Sequence, residues 1–219
     1  MTGNYLRSTS PFLCAGEEQF VQVVDECQNI QRCRWPSKKV LESTICPISW
    51  AGCHIEEIGV SPSGNWLVTQ RISGQGEWGY DVFRTAPLER ATGITQERGY
   101  ILELPRFSEN ESLLVGGASR FFEWWWDGDE ENDGPAIVGF LFVHHLPRHD
   151  VTRHELRVEL PKGWKPEDPR AKWYGPRDIT PIGEGVRLVP SGGLPVEVVG
   201  PLPPVIVLPT PHPSGRGFL

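Results

Sequence analysis

Residues 58–68 of the chain read IGVSPSGNWLV, two apolar segments separated by a polar turn. In the turn, SPSG at residues 61–64, proline presets one backbone dihedral and glycine supplies a positive φ. Trp66 and the residues after it suit the pleated, half-buried surface of a strand. The stretch therefore predicts two strands, at 55–60 and 66–70, joined by a tight turn.

The same alternation of apolar segments and turns continues along the chain. In residues 152–160, apolar and charged side chains alternate with the period of two that one buried face of a strand requires. Prolines around residues 205–208 restrict that segment to a sheet edge or an extended arm. Strands are accordingly predicted at residues 80–83, 100–104, 112–115, 137–145, 152–160, 186–189, 196–199 and 205–208.

One helix is predicted, at residues 17–28. Phe20, Val23, Val24 and Cys27 follow the spacing of a single buried helical face. The expected organisation is an N-terminal arm and helix at 1–54, a β domain of short antiparallel meanders at 55–208, and a disordered tail at 209–219.

Residues 55–118 resemble the blades of WD40-like and TolB-like β-propellers. In those blades an apolar strand leads into Ser-Pro-Asp-Gly, and an aromatic or long apolar residue begins the next strand. Residues 58–68 follow this pattern with Ser63 in place of the aspartate, and residues 106–115 repeat it, 47 residues later. No Trp-Asp pair closes the first repeat, and four repeats are not visible, whereas propellers have ~4–8 blades. The fold class stays open between a propeller-like arrangement and a sandwich or barrel.

Charge and composition exclude several classes of partner. The net charge of −7 argues against nucleic acid and against an anionic membrane surface. The chain has no apolar run of 18 residues, and its first residues lack the apolar core of a signal peptide. Five cysteines, an odd number, fit free thiols in a reducing compartment, so a cytoplasmic location is expected.

An acidic loop covers residues 127–134. Its carboxylates alternate along the chain, as in a loop that surrounds Ca²⁺, a cation that takes six to eight oxygen ligands. The sixth position is asparagine rather than glycine and the twelfth is valine rather than glutamate, so a solvated hairpin tip is favoured. The candidate metal ligands are Asp127, Asp129, Glu131 and Asp133.

An aromatic segment precedes this loop. Successive side chains of a strand point to opposite faces, so these aromatics cannot all enter one core. One set must cover a second core layer, a partner protein or a planar ligand. Aromatic residues are enriched at the centres of protein interfaces. The candidate partner-binding residues are Phe121, Phe122, Trp124, Trp125 and Trp126.

Histidines and cysteines offer weaker metal candidates. His144, His145, His149 and His154 are close in sequence but contain no His-Glu-x-x-His motif. Cys27, Cys33, Cys46 and Cys53, with His54 as an alternative ligand, lack the Cys-x₂₋₄-Cys pairs typical of zinc sites. Ordinary turn histidines and buried thiols are favoured, and no cofactor is expected.

Two functions are favoured on these observations, and a third, carbohydrate binding, would need the Trp run to form an exposed flat aromatic platform. The first is a non-enzymatic module that binds a protein partner, or a second copy of itself, through the aromatic segment. The alternative is a metal-dependent hydrolase that uses the acidic loop and the histidine cluster. Convergence of Asp129, Asp133, His145 and His149 in one cleft would favour the hydrolase.

Overall fold

The computed structural model describes residues 4–7, 12–13, 18–24, 29–45, 54–72, 78–95, 100–102, 105–120, 135–159, 176–190 and 194–210. Within these ranges every regular element is a β-strand, which confirms the predicted mainly β fold. None of the described residues forms a helix long and apolar enough to cross a membrane. The strands are β1 (Asn4–Arg7), β2 (Phe12–Leu13), β3 (Gln19–Val24), β4 (Asn29–Arg34), β5 (Val40–Ile45), β6 (His54–Val60), β7 (Trp66–Ile72), β8 (Trp78–Thr85), β9 (Leu88–Thr95), β10 (Tyr100–Leu102), β11 (Arg106–Phe107), β12 (Leu113–Arg120), β13 (Pro135–His145), β14 (Asp150–Glu159), β15 (Pro176–Ile182), β16 (Gly185–Pro190), β17 (Val196–Val198) and β18 (Val205–Leu208).

The chain divides into two compact units. The first comprises Met1–Arg98, Glu109–Ser112 and Pro147–His149, and contains β1 to β9. The second comprises Gly99–Ser108, Leu113–Leu146 and Asp150–Leu219, and contains β10 to β18. Strands β2 to β5, which lie before residue 54, form a sheet of their own within the first unit.

The first unit contains two antiparallel sheets. One has the strand order β1-β6-β7-β8-β9 and the other the order β2-β3-β4-β5. From β6 to β9, and from β2 to β5, consecutive strands are neighbours, which is the simple up-and-down order that short turns permit. The turns are tight: residues 61–65 join β6 to β7, and Ala86 and Pro87 join β8 to β9.

The core of the first unit draws on both sheets. Leu67 of β7 lies opposite Phe83 of β8, and both are fully buried. Burying one such side chain stabilises the fold by about 1.5–3 kcal/mol. The core cluster consists of Val21, Ile30, Ile55, Ile58, Val60, Leu67, Phe83 and Leu88.

A polar contact also links these two sheets. The carboxylate of Glu42 in β5 accepts a hydrogen bond from the backbone N–H of Leu88, at 2.6 Å, and pairs with Arg32 of β4 at 3.0 Å. The Leu88 N–H, and secondly Arg32, hold the pKa of Glu42 below its ordinary value. This carboxylate therefore fixes β5 beside the start of β9.

The second unit also contains two sheets. The larger has the order β10-β12-β13-β14-β18 with β11 paired to β12, and the smaller has the order β15-β16-β17. Strand β18 lies at the edge and runs parallel to β14, in agreement with the predicted edge position. The core cluster consists of Leu113, Val115, Val138, Leu141, Val143, Leu156, Val158, Ile179, Val186, Leu188, Ile206 and Leu208.

The two turns that carry the blade pattern have the same internal hydrogen bonds. Ser61 donates its backbone N–H to the carbonyl of Trp66 at 3.0 Å, and its Oγ accepts the N–H of Trp66 at 3.2 Å. Ser108 makes the same two bonds with Leu113, at 2.9 and 3.0 Å. The spacing of 47 residues in the sequence is therefore a structural repeat.

The third position after the serine in each turn adopts the left-handed conformation. Gly64 has a φ of 77° and Glu111, the corresponding residue, has a φ of 54°. Ser63 donates hydrogen bonds from its N–H and its hydroxyl to the Glu111 carboxylate. An aspartate in place of Ser63 would bring a second carboxylate beside that of Glu111.

The predicted helix at residues 17–28 is wrong over residues 19–24, which form β3. Phe20 is buried on one face of the strand beside Cys33, while Val21 enters the core on the other face. An inner strand covered on both faces loses the polar alternation of a half-buried strand. Its apolar spacing then matches that of a helix by coincidence, and the β-branched valines favour the strand.

Several sequence predictions lie outside the described residues. The tail at 209–219 is described only for Pro209 and Thr210, and the Thr210 hydroxyl donates to the carbonyl of Glu159 at 2.8 Å. Residues 121–134, with the aromatic segment and the acidic loop, are not among those described.

Candidate functional site

The four predicted histidines do not form one cluster. His149 belongs to the first unit, whereas His144, His145 and His154 belong to the second. In His154, Nδ1 lies 2.7 Å from the carbonyl oxygen of Pro203 and Nε2 lies 2.9 Å from the Thr152 hydroxyl. Both of its ring nitrogens are thus engaged within the protein.

His144 is buried in β13. Desolvation, with a smaller contribution from the charge of His145, lowers the pKa of His144 to about 4. Its imidazole is therefore neutral at physiological pH. In the part of the chain that the structure describes, no three His, Cys, Asp or Glu side chains lie close enough to hold a metal ion.

Most of the remaining predicted sites lie outside the described residues. This holds for Phe121, Phe122, Trp124, Trp125 and Trp126, for Asp127, Asp129, Glu131 and Asp133, and for Cys27, Cys46 and Cys53. Cys33 is described as buried with a free thiol, and burial raises its pKa. A buried thiol of this kind behaves as a small apolar side chain.

The described residues place a different group of side chains together at one end of the β7–β8 pair. Trp66 begins β7 and lies opposite Arg84 of β8, so the two share one face of the sheet. The guanidinium carbon of Arg84 lies 5.7 Å from the centre of the Trp66 ring. This distance is within the range of a cation–π interaction.

His149 completes this group from the turn before β14. Its backbone has a φ of 58°, and its ring meets that of Trp66 edge-on at 5.9 Å. Nη2 of Arg84 lies 2.7 Å from Nε2 of His149. Because a guanidinium can only donate, Nε2 of His149 accepts this hydrogen bond. Trp66, Arg84 and His149 together are called the arginine cluster below.

An open cavity of about 230 Å³ adjoins the arginine cluster. Its walls come from the turn end of the β8–β9 hairpin and from His149. Glu89 lies opposite Arg84 across the hairpin, and the register of the two strands shifts between Val82 and Phe83. The lining residues are Arg84, Glu89, Arg90, Ala91 and His149.

Arg90 belongs to an ion triad whose other two members, Asp81 and Arg71, are buried. Its Nε lies 2.8 Å from Oδ1 of Asp81, and Nε of Arg71 lies 2.6 Å from Oδ2 of the same carboxylate. The side chains of Asp81 and Arg71 are 0% and 3% exposed, whereas that of Arg90 is 43% exposed. The single carboxylate of Asp81 thus lies between two guanidinium groups, one buried and one at the surface.

Glycine makes room for this triad. A β-carbon on Gly93 would lie 2.3 Å from Oδ1 of Asp81 and 2.5 Å from Nη2 of Arg90. Both distances are shorter than van der Waals contact, so a side chain at this position would displace the ion pair. The small residue in β9 is therefore part of what fixes Arg90.

The sequence patterns do not single out Arg84 and Arg90 as site residues. Both lie near the turn end of the β8–β9 hairpin, where charged residues are usually solvated, and their proximity depends on the register of that hairpin. His149 stands out in the sequence only as one of four histidines. The one local signal is that the charged residues Arg71 and Asp81 lie within β7 and β8, next to apolar residues.

No protein-family model and no curated protein sequence matches the chain. Similar solved structures include hydrazine synthase from Kuenenia stuttgartiensis, at 13% identity and a TM-score of 0.45, covering 78% of this chain and 46% of that one. They also include the β-propeller domain of Cps50 (Swd1) from Myceliophteria thermophila, at 13% identity and a TM-score of 0.42, covering 87% of this chain and 51% of that one. A functionally unknown protein from Desulfotomaculum acetoxidans is similar at 12% identity and a TM-score of 0.35, covering 86% of this chain and 62% of that one.

The chain therefore spans between 46% and 62% of the length of these matched chains. The predicted resemblance of residues 55–118 to propeller blades is confirmed. The repeated turns at Ser61 and Ser108, with their matching hydrogen bonds, carry this resemblance.

Proposed function

We propose that the protein is a non-enzymatic module that binds a protein partner on a scaffold of propeller-like blades. The observation that supports this function best is the arginine cluster. Arg84 is exposed but held in place, because it stacks on Trp66 and donates to His149. Tryptophan and arginine are the residues most enriched among those that dominate the energy of protein interfaces.

A side chain that is ordered before binding loses less entropy when it binds. Immobilising a long side chain at an interface costs roughly 0.5–1.5 kcal/mol, and Arg84 has met part of that cost in the free protein. Around it, the sheets of the first unit are joined by a shared apolar core and by Glu42. A rigid β scaffold with a prearranged aromatic and arginine surface is typical of a binding module rather than of a catalytic cleft.

The aromatic segment at residues 121–126 remains part of this proposal as a second contact surface. Its residues Phe121, Phe122, Trp124, Trp125 and Trp126 carry the same enrichment argument. The proposed partner is a protein, or a second copy of this chain. The net charge of −7 supports a protein rather than a nucleic acid.

Quantitative affinity purification from the source organism tests the proposal. The parent chain is compared with Arg84→Ala and with Arg187→Ala, a control in the second unit whose side chain is 48% exposed. We expect a partner that is recovered with the parent and the control but reduced about thirtyfold with Arg84→Ala, which corresponds to a loss of ~2 kcal/mol. Identical recovery with all three chains, or none above background from a monodisperse monomer, would contradict the proposal.

A further inference from the structure

The charges around the cavity have the opposite sign to the chain as a whole. Three arginines, Arg71, Arg84 and Arg90, stand against two carboxylates, Asp81 and Glu89. This leaves one net positive charge at the site, in a protein of net charge −7. We propose that the cavity binds a single carboxylate from an acidic segment of the partner protein. This inference rests on the proposed function and names the chemistry of its partner.

The two surface guanidinium groups provide the donors that a carboxylate needs. A guanidinium carries five N–H donors, so the contact of Arg90 with Asp81 and that of Arg84 with His149 do not exhaust either group. Charge-assisted hydrogen bonds to a carboxylate are roughly twice as strong as neutral ones. Both arginines line the same cavity, whose volume of about 230 Å³ can hold an acidic side chain together with water.

The side chains of Arg84 and Arg90 are each also restrained by neighbouring side chains of the first unit. Asp81 fixes Arg90 through Nε, and Gly93 allows the guanidinium to lie against the β9 backbone. Trp66 and His149 fix Arg84. A site whose donors are already in place binds its ligand with a smaller loss of entropy than a pair of mobile surface side chains.

Glu89 lowers the net positive charge of the site to one. It lines the cavity and lies opposite Arg84 in the β8–β9 register. The attraction of an anion to this site rises in proportion to the anion's charge, but the cost of its desolvation rises with the square of that charge, so one carboxylate suits the site better than a phosphate dianion. Aspartate and glutamate side chains of a peptide are therefore preferred over phosphoserine.

The test is a titration of the full chain, followed by NMR of the arginine Nε–H and tryptophan indole signals. The probe is N-acetylglutamate methylamide, and the neutral control is N-acetylglutamine methylamide, which has the same shape. O-phosphoserine, blocked in the same way, forms the third arm. We expect saturable shifts of the Arg84, Arg90 and Trp66 signals with the glutamate probe, weaker shifts with phosphoserine, and none with the glutamine control.

Matched variants assign the binding to the cavity. Glu89→Gln should bind the glutamate probe about threefold more tightly, and Arg84→Gln at least about threefold more weakly. Threefold is the effect of one unit charge at about 6 Å in water. Arg187→Gln, in the second unit, should bind as the parent does. Glu89→Gln removes a charge without removing a donor, so its expected gain in affinity cannot arise from misfolding.

Three outcomes would overturn the inference: equal shifts with the glutamate and glutamine probes, tighter binding of phosphoserine, or no gain with Glu89→Gln. The proposed function fails by a different result. If a partner is still lost with Arg84→Ala in the affinity purification while the glutamate probe does not bind, the interaction module stands and its carboxylate chemistry is refuted.

Discussion

Replacing Asp81 by asparagine removes the carboxylate that lies between Arg71 and Arg90 while keeping the shape of the side chain. Arg90 is 43% exposed and can return its charge to water, but Arg71 is 3% exposed and cannot. Removing one partner of a buried ion pair costs about 3–5 kcal/mol, because the remaining charge stays buried and loses the attraction of that partner. We therefore expect Asp81→Asn to lower the free energy of unfolding by about 3–5 kcal/mol.

Urea denaturation followed by tryptophan fluorescence measures this loss, and nine tryptophans provide the signal. For a chain of this size the same change lowers the melting temperature by roughly 6–20 °C. Arg90→Gln is the matched control, since it leaves the Arg71 contact with Asp81 at 2.6 Å in place. The control should cost no more than ~1 kcal/mol, as expected for a partly exposed ion pair.

A double variant tests whether the buried charge of Arg71 causes this loss of stability. Arg71→Met combined with Asp81→Asn removes the buried positive charge as well as its negative partner, so the cost of leaving one charge behind does not arise. The double variant should thus be more stable than Asp81→Asn alone, and the two changes should be non-additive. Stability of Asp81→Asn within about 1 kcal/mol of the parent, or strict additivity, would refute the proposed role of the triad.

Three further predictions concern the turn, a buried histidine and the aromatic segment. Gly64→Val should lower the free energy of unfolding by more than about 1 kcal/mol in urea denaturation, because φ is 77° at this position, and an unchanged stability would contradict the strain argument. Glu111→Gly, at the corresponding φ of 54°, should relieve backbone strain but lose the hydrogen bonds from Ser63 in the other turn. His144→Leu should flatten the pH dependence of the melting temperature. Burial lowers the pKa of His144 from 6.5 to about 4, so between these pH values the unfolded chain binds a proton that the folded chain does not. The free energy of unfolding of the parent therefore falls by up to about 3 kcal/mol as the pH falls from 6.5 to 4. Equal slopes for parent and variant would show that other groups control this range. Trp124→Ser or Trp125→Ser, whichever side chain faces outward, should weaken association by ~2 kcal/mol in sedimentation experiments without unfolding the chain, and unchanged association would remove the aromatic segment from the interface.

The local sequence pattern is sufficient to predict a strand where one face of that strand is buried. In β14 the alternation is visible in the sequence, and the structure buries His154, Leu156 and Val158 as the period of two requires. The turn at residues 61–64 is equally accessible, because proline and glycine restrict the backbone locally. Its repetition 47 residues later makes the resemblance to propeller blades recognisable in the amino-acid sequence alone.

The local sequence pattern fails to predict a strand where both faces of that strand are covered. The apolar residues of β3 serve two different neighbours, so their spacing reflects the packing of the sheets and not the period of the strand itself. Strands β4 and β5 are not predicted from the sequence patterns, for a related reason. Their polar side chains, among them Arg32 and Glu42, are satisfied by partners on other strands, which no short window of sequence contains.

The sequence by itself determined the mainly β class, most strand positions and the left-handed turn at Gly64, because each depends on residues within a few positions of one another. Tertiary structure alone decided the site. Arg84, Arg90 and His149 meet because the β8–β9 register and the turn at His149 bring them to one cavity. The buried carboxylate of Asp81 is stabilised by Arg71 and Arg90, which come from the two neighbouring strands. Electrostatic interactions of this kind depend on distance and burial, and both are set by the packing of strands that are remote in sequence.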